Sequence, residues 1–190
     1  MITVVSGLPR SGTSLMMQML YAGGMPVLTD NLRTPDANNP QGFLEYEKVK
    51  ALKKDNTWMG EAEGKVVKIV SHLLQSMDMK YQYQMIFMVR DVEEVVSSQA
   101  SMLERLGKTG SQAPTESLLR HYARHLAEIR EWLGKQPNVR ALYVFHRDAV
   151  LQTDREAGKI NEFLGGRLDE AKMRAIIDRS LYRERKSKNQ

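Results

Sequence analysis

Residues 4–20 read VVSGLPRSGTSLMMQML, and the segment Gly7-Leu8-Pro9-Arg10-Ser11-Gly12-Thr13-Ser14 has the two glycines and the closing hydroxyl of a phosphate-binding loop. Thr13 stands where the usual pattern has lysine, and Arg10 lies three places earlier. A strand, a glycine-bearing turn and a helix form a setting for anions, because backbone N–H groups at the helix start point at the ligand and the helix dipole favours negative charge there. Ser11, Thr13 and Ser14 add hydroxyl donors, and Arg10 adds a planar, permanently charged fork that binds two oxygens at once. A lysine in the usual place would instead bridge β- and γ-phosphates beside a magnesium held by Ser/Thr and a strand-end aspartate. Here "MIFMVRD" ends its apolar run on Arg90, with Asp91 one place late, which makes a poor metal-holding strand end. The expected ligand is a phosphate-like group bound without magnesium.

Such a loop needs elements to aim it. Four short apolar runs read as buried strands: Ile2 to Ser6, Val66 to Val70, Met85 to Val89 and Val139 to Phe145. Helical patterns lie between them. Thr13 to Tyr21 follows the loop and stops at Gly23-Gly24. Val92, Val95, Val96, Gln99, Leu103 and Leu106 share one helix face, as do Leu118, Leu119, Tyr122, Leu126, Ile129 and Leu133 behind Pro114 and Thr115. Ala157 to Leu164 and Leu168 to Ile177 read as two further helices around Gly165-Gly166. Strands alternating with helices predict an α/β fold: three layers, α/β/α, with a mainly parallel sheet of about four to five strands, like that of the phosphate-loop NTPases. Ligands of such sheets bind beyond the carboxyl ends of the strands. Leu28 to Gly42, rich in Pro, Asn and Asp, is expected to form a long loop or lid, and Gly107 to Pro114 a second loop.

The composition is that of an ordinary globular chain: 190 residues, 42% hydrophobic and 27% charged, expected to form one domain over residues 1–190 with a frayed basic tail from 179. With no cysteine there is no disulfide framework, thiolate zinc site or thiol nucleophile. The first strand pattern begins at Ile2, which predicts no signal peptide, and no apolar run approaches the ~20 residues of a membrane span. A cytoplasmic location is the expectation. The net charge of +5 points to an anionic partner. No RNA-type aromatic run or DNA-binding helix motif stands out, so nucleic acid is not expected. His121 and His125, four apart on one helix, flank its apolar face without a third ligand between them and read as a structural pair. Met16, Met17, Met19, Met85 and Met88 read as adaptable core packing.

Three motifs carry a family resemblance. "GLPRSGTS" resembles the 5′-phosphosulfate loop of sulfotransferases that use 3′-phosphoadenosine 5′-phosphosulfate, in which lysine or arginine occupies the place of Arg10. "VRDVEEVVSS" resembles the family's 3′-phosphate segment, where an arginine ending a strand is followed eight residues later by a helical serine; Arg90 and Ser98 match both. "INEFLGG", residues 160–166, resembles the family's late helix. The resemblance implies Pro9, Arg10, Ser11, Gly12, Thr13, Ser14, Arg90 and Ser98 as the donor site and adenosine 3′,5′-bisphosphate as product, with no metal expected. It also implies catalytic roles: Arg10 neutralises the leaving phosphate, and Lys68, in "GKVVKIVSHLL", resembles the strand-end lysine that assists transfer. Two residues compete for base. Glu45, in "NNPQGFLEYEKV", resembles the glutamate of some members, and as a base near pH 7 it would need a raised pKa. His72 has the right intrinsic pKa but follows Lys68 by four residues, against two in the cytosolic animal members.

The sequence departs from the family at His146-Arg147, where a tyrosine and an acidic residue are common. The basic C-terminal motif of the cytosolic animal members is absent too, although Arg183, Arg185 or Lys186 could supply charge. The acceptor is open among carbohydrate, lipid, phenol and peptide hydroxyls, or an amine, with Tyr46 and the two loops shaping its pocket. The oligomeric state is open as well. The alternatives are a small phosphate-loop kinase using ATP and magnesium, and a non-catalytic nucleotide-binding relative.

Overall fold

The structure is a computed structural model that describes residues 1–30, 32, 42–105, 107 and 115–178. In chain order its regular elements are β1 (Ile2–Gly7), α1 (Thr13–Ala22), β2 (Val66–Lys68), β3 (Tyr83–Val89), α2 (Val92–Arg105), α3 (Thr115–Gly134), β4 (Val139–Phe145), α4 (His146–Leu151), α5 (Thr153–Phe163) and α6 (Glu170–Ala175). Three short 3₁₀ helices, Glu47–Ala51, Thr57–Ala62 and Ser71–Ser76, flank β2. Most of the expected lid and second loop, and the whole of the tail from 179, lie outside the described residues.

The strands form one parallel sheet in the order β2-β1-β3-β4. Its register sorts the side chains by face. Val67, Val4 and Met85 stand side by side and enter a core with Phe87, Ile129 and Leu133 of α3 and Trp58 and Leu74 of the 3₁₀ segments. One residue along, Val5 and Ile86 point to the other face, packing with Met16, Met17, Met19 and Leu20 of α1, Ala157 and Ile160 of α5 and Met173 of α6. Two cores on opposite faces make the three layers that strands with few polar positions require. The five methionines named above are all buried.

β1 connects to β2 on one side, and the chain then crosses to β3 on the other. The strand order therefore reverses at β1 and β3, and the crevice outside their carboxyl ends is where such sheets bind ligands. Gly7 and Val89 end there, carrying the glycine loop and Arg90.

Several boundaries differ from the sequence expectation. β2 stops at Lys68, because Ile69 makes a last bond from its N–H to the Val5 carbonyl and Ser71 turns into a 3₁₀ helix. β3 begins at Tyr83, which pairs with both Ile2 and Val139. α5 begins four residues before Ala157, and α6 is the shorter Glu170–Ala175, started by an Asp169 carboxylate that accepts from the Lys172 N–H at 3.0 Å. Helix α4 is unexpected: β4 runs into it with no turn residue between.

Candidate functional site

The loop after β1 begins with a tight turn, in which the Ser11 N–H donates to the Leu8 carbonyl at 3.1 Å. Arg10 (φ +70°) and Gly12 (φ +99°) both take left-handed backbone conformations. For Arg10 this costs about 1–3 kcal/mol, a strain that surrounding contacts must hold. Gly12 caps α1 without any side-chain cap, and the first turn of α1 has no acidic residue. Its first N–H groups thus have no acidic residue of their own turn competing for them. The Ser11 hydroxyl is buried and has no hydrogen-bond partner among the described residues. At Gly7 a Cβ would collide with that hydroxyl and lie 2.6 Å from the Met88 carbonyl. Orphan donors, a bare helix start and two positions that admit only glycine fit a phosphate group, whose oxygens would satisfy the N–H and O–H donors together. Pro9 and Ser14 are half-buried at the two ends of the loop, and Thr13 is buried.

α2 supplies the next layer. Asp91 caps it, accepting from the Glu93 N–H at 2.9 Å, so this carboxylate serves the helix start. Two turns on, the buried Ser98 hydroxyl accepts from Arg10 Nε at 3.2 Å. Arg90 reaches across from the end of β3, donating through a terminal guanidinium nitrogen to the Arg10 carbonyl at 3.1 Å and pairing through Nε with Glu94 Oε2 at 3.0 Å. Arg10, Arg90 and Ser98 are therefore one connected group, with Arg90 bracing the strained residue from behind.

The β1–β2 register places Lys68 beside Val5, on the face that α1 covers. Its ammonium donates to Ser14 Oγ at 3.2 Å and pairs with Glu45 Oε1 at 2.7 Å. Lys68 is 9% exposed and Glu45 23%, so the charge has the partner that burial requires. Glu45 is not in a helix. It lies two residues before the Glu47–Ala51 3₁₀ helix, in an irregular segment where Leu44 also has a positive φ of +48°. The segment is pinned from two sides: buried Gln18 of α1 donates to the Gly42 carbonyl at 2.6 Å, and the Thr29 hydroxyl donates to the Glu45 carbonyl at 2.8 Å. Buried Phe43 lies 6.0 Å below the Lys68 ammonium.

His72 stands apart from this pair. It is exposed on the Ser71–Ser76 3₁₀ helix, and partial burial with the nearby Lys53 and His125 charges holds its pKa below the usual value. The residue before it, fully buried Ser71, shares a 2.8 Å hydrogen bond with His125 Nε2. That bond ties α3 to the end of β2, so His125 packs as a structural residue while His121 is exposed.

Sequence reasoning missed two contributors. Gln18 sits mid-helix in a pattern that reads as apolar packing. His146 opens α4 and is 8% exposed. Burial and the Arg90 charge push it down to about 4, against a smaller opposing pull from Glu94. The break with the family pattern at this position was the one available signal.

A family model, the sulfotransferase domain, matches residues 2–190. The chain belongs to that family. Among solved structures, the sulfotransferase domain is similar to mouse sulfotransferase SULT7A1 complexed with PAP, at 18% identity and a TM-score of 0.53, covering 98% of this chain and 66% of that one. Retinol dehydratase in complex with androsterone and inactive cofactor PAP matches at 16% identity and a TM-score of 0.48, over 92% of this chain and 62% of its own. The sulfotransferase domain from the curacin biosynthetic pathway matches at 14% identity and 0.49, over 86% and 73%. The chain thus spans about two thirds of the mouse enzyme's length. No curated protein matches it. Among the described residues, no His, Asp or Glu cluster could hold a metal ion, and no helix is long and apolar enough to cross a membrane.

Proposed function

We propose that this domain transfers a sulfuryl group from 3′-phosphoadenosine 5′-phosphosulfate to a hydroxyl or amine of an acceptor, without a metal. One observation carries the reading: Lys68 bridges Ser14, in the first turn behind the phosphate loop, to the carboxylate Glu45. A phosphate cradle and a proton acceptor are thereby joined through one cation at the carboxyl edge of the sheet. PAP in the mouse relative named above supports the donor class.

Pro9 to Ser14 hold the 5′-phosphate, with the N–H groups of α1 and the Ser11, Thr13 and Ser14 hydroxyls as donors. Arg90 and Ser98 take the 3′-phosphate, as the resemblance implies, and Ser98 is tied to the 5′ side by its contact with Arg10. The donor supplies an activated sulfuryl group, whose in-line transfer leaves negative charge on the phosphate oxygen. Arg10 and Lys68 meet that charge as it forms, in a partly buried setting where such stabilisation counts for more than in water. Glu45 takes the acceptor proton. The 2.7 Å contact with Lys68 fixes where its carboxylate stands. His72 is passed over for this role because the Lys68–Glu45 pair does not include it. The acceptor is a small molecule, glycan or lipid bearing a hydroxyl, with Tyr46 helping to shape its pocket. A cysteine-free chain suits a reducing cytoplasm.

Calorimetric titration tests the reading. Adenosine 3′,5′-bisphosphate is expected to bind without metal, and ATP with magnesium to bind far more weakly. Magnesium-dependent ATP binding as tight as the bisphosphate would turn the assignment to a kinase, and no binding of either would remove the donor site.

A further inference from the structure

The phosphate loop also packs against a buried residue that the proposed donor site does not use. β4 passes directly into α4, so His146 is delivered to the carboxyl edge of the sheet with its ring buried against Gly12. A Cβ at Gly12 would collide with His146 Cδ2 and stand 3.4 Å from Cγ and Nε2, which places the edge of the imidazole directly under that residue. The charged groups facing the ring are Arg90, at the end of β3, and Glu94, on α2, and these two are themselves an ion pair. Arg90 also holds the Arg10 carbonyl. The two left-handed residues of the loop, Arg10 and Gly12, therefore each rest on one member of this group.

We propose that His146 is a positioning residue of the phosphate loop: its ring edge, with Arg90 beside it, fixes the left-handed backbone of residues 10–12 so that the loop's N–H groups are aimed before any ligand arrives. The role is one of shape and not of charge. Burial and Arg90 keep the imidazole neutral at working pH, so it adds no cation to the site. The ligand named in the test rests on the proposed function; the preset loop does not.

Three readouts on His146→Ala and His146→Gln test this, the glutamine keeping a neutral, similarly placed edge toward Gly12. In the ligand-free protein, amide hydrogen exchange of residues 10–14 is expected to rise at least about ten-fold in the alanine variant and to return near the parent in the glutamine variant, while exchange in β1 and β3 stays slow. The dissociation constant for adenosine 3′,5′-bisphosphate should follow the same pattern, weakening about ten-fold and recovering. In turnover, the KM for the donor should rise more than kcat falls. Unchanged loop exchange in His146→Ala overturns the proposal, and so does a glutamine variant as impaired as alanine, because a neutral edge against Gly12 would then not be what sets the loop. A parent protein that binds no bisphosphate would refute the proposed function alone, since the exchange experiment reads the loop without ligand.

Discussion

At the scale of single residues, the proposed site gives an arginine at position 10 the task that a lysine at position 13 has in the usual phosphate loop, and its planar fork suits that assignment. Nε of Arg10 donates to Ser98, which orients the planar guanidinium. Arg10→Ala removes a charge-assisted contact of about 1.5–3 kcal/mol and should weaken bisphosphate binding roughly ten- to a hundred-fold by calorimetry. Glu45→Gln should lower kcat by about 10²- to 10⁴-fold in steady-state turnover through loss of the base, and should also lower stability in denaturant unfolding, because the buried Lys68 loses its Glu45 carboxylate partner. Most of this site was legible in the sequence, because Arg10, Arg90, Ser98 and Lys68 sit at fixed places relative to strand ends, and strand ends can be read from apolar runs. Glu45 was legible only as a carboxylate near a Pro/Gly segment. Its contacts with Lys68 and its tether through Thr29 depend on a loop whose path no periodicity encodes.

Among the elements, the four strands announce themselves as short apolar runs, α1 by its place after the glycine loop, and α2 and α3 by apolar residues at helical spacing. What the pattern hides is irregular backbone. The 3₁₀ helices around β2 are too short for a period, and α4 begins at His146 with no Gly, Pro or Asn to mark the change from strand to helix. The pairing of Ser71 with His125 was equally invisible, since 54 residues separate them. α3 offers a test that separates packing from site. Ile129 is buried against the sheet face opposite α1, so Ile129→Ala should destabilise the fold by about 2–5 kcal/mol in denaturant unfolding. Below its unfolding midpoint, bisphosphate affinity should stay within about two-fold of the parent.

For the molecule as a whole, the reversal of strand order at β1 and β3 draws every proposed donor contact to one edge of the sheet, and the buried histidine beneath that edge links the site to global stability. His146 titrates near 4 in the folded protein against about 6.5 unfolded. The unfolded chain therefore binds the extra proton between those values, and stability is full above about 6.5 and falls as the pH drops toward 4. Between pH 7 and 5 this one group accounts for about 2 kcal/mol of lost stability. His146→Gln should lose correspondingly less over that interval, measured as the difference in unfolding free energy at the two pH values; an identical loss in both proteins would contradict the burial assigned to the ring.

The bond from Gln18 to the Gly42 carbonyl bears on how the site tolerates change. The helix that presents its first turn to the proposed donor site also anchors, one turn further on, the start of the segment bearing the proposed base. In the proposed assignment the donor loop and the base are thus tied through one helix, so a change at Gln18 would disturb both together.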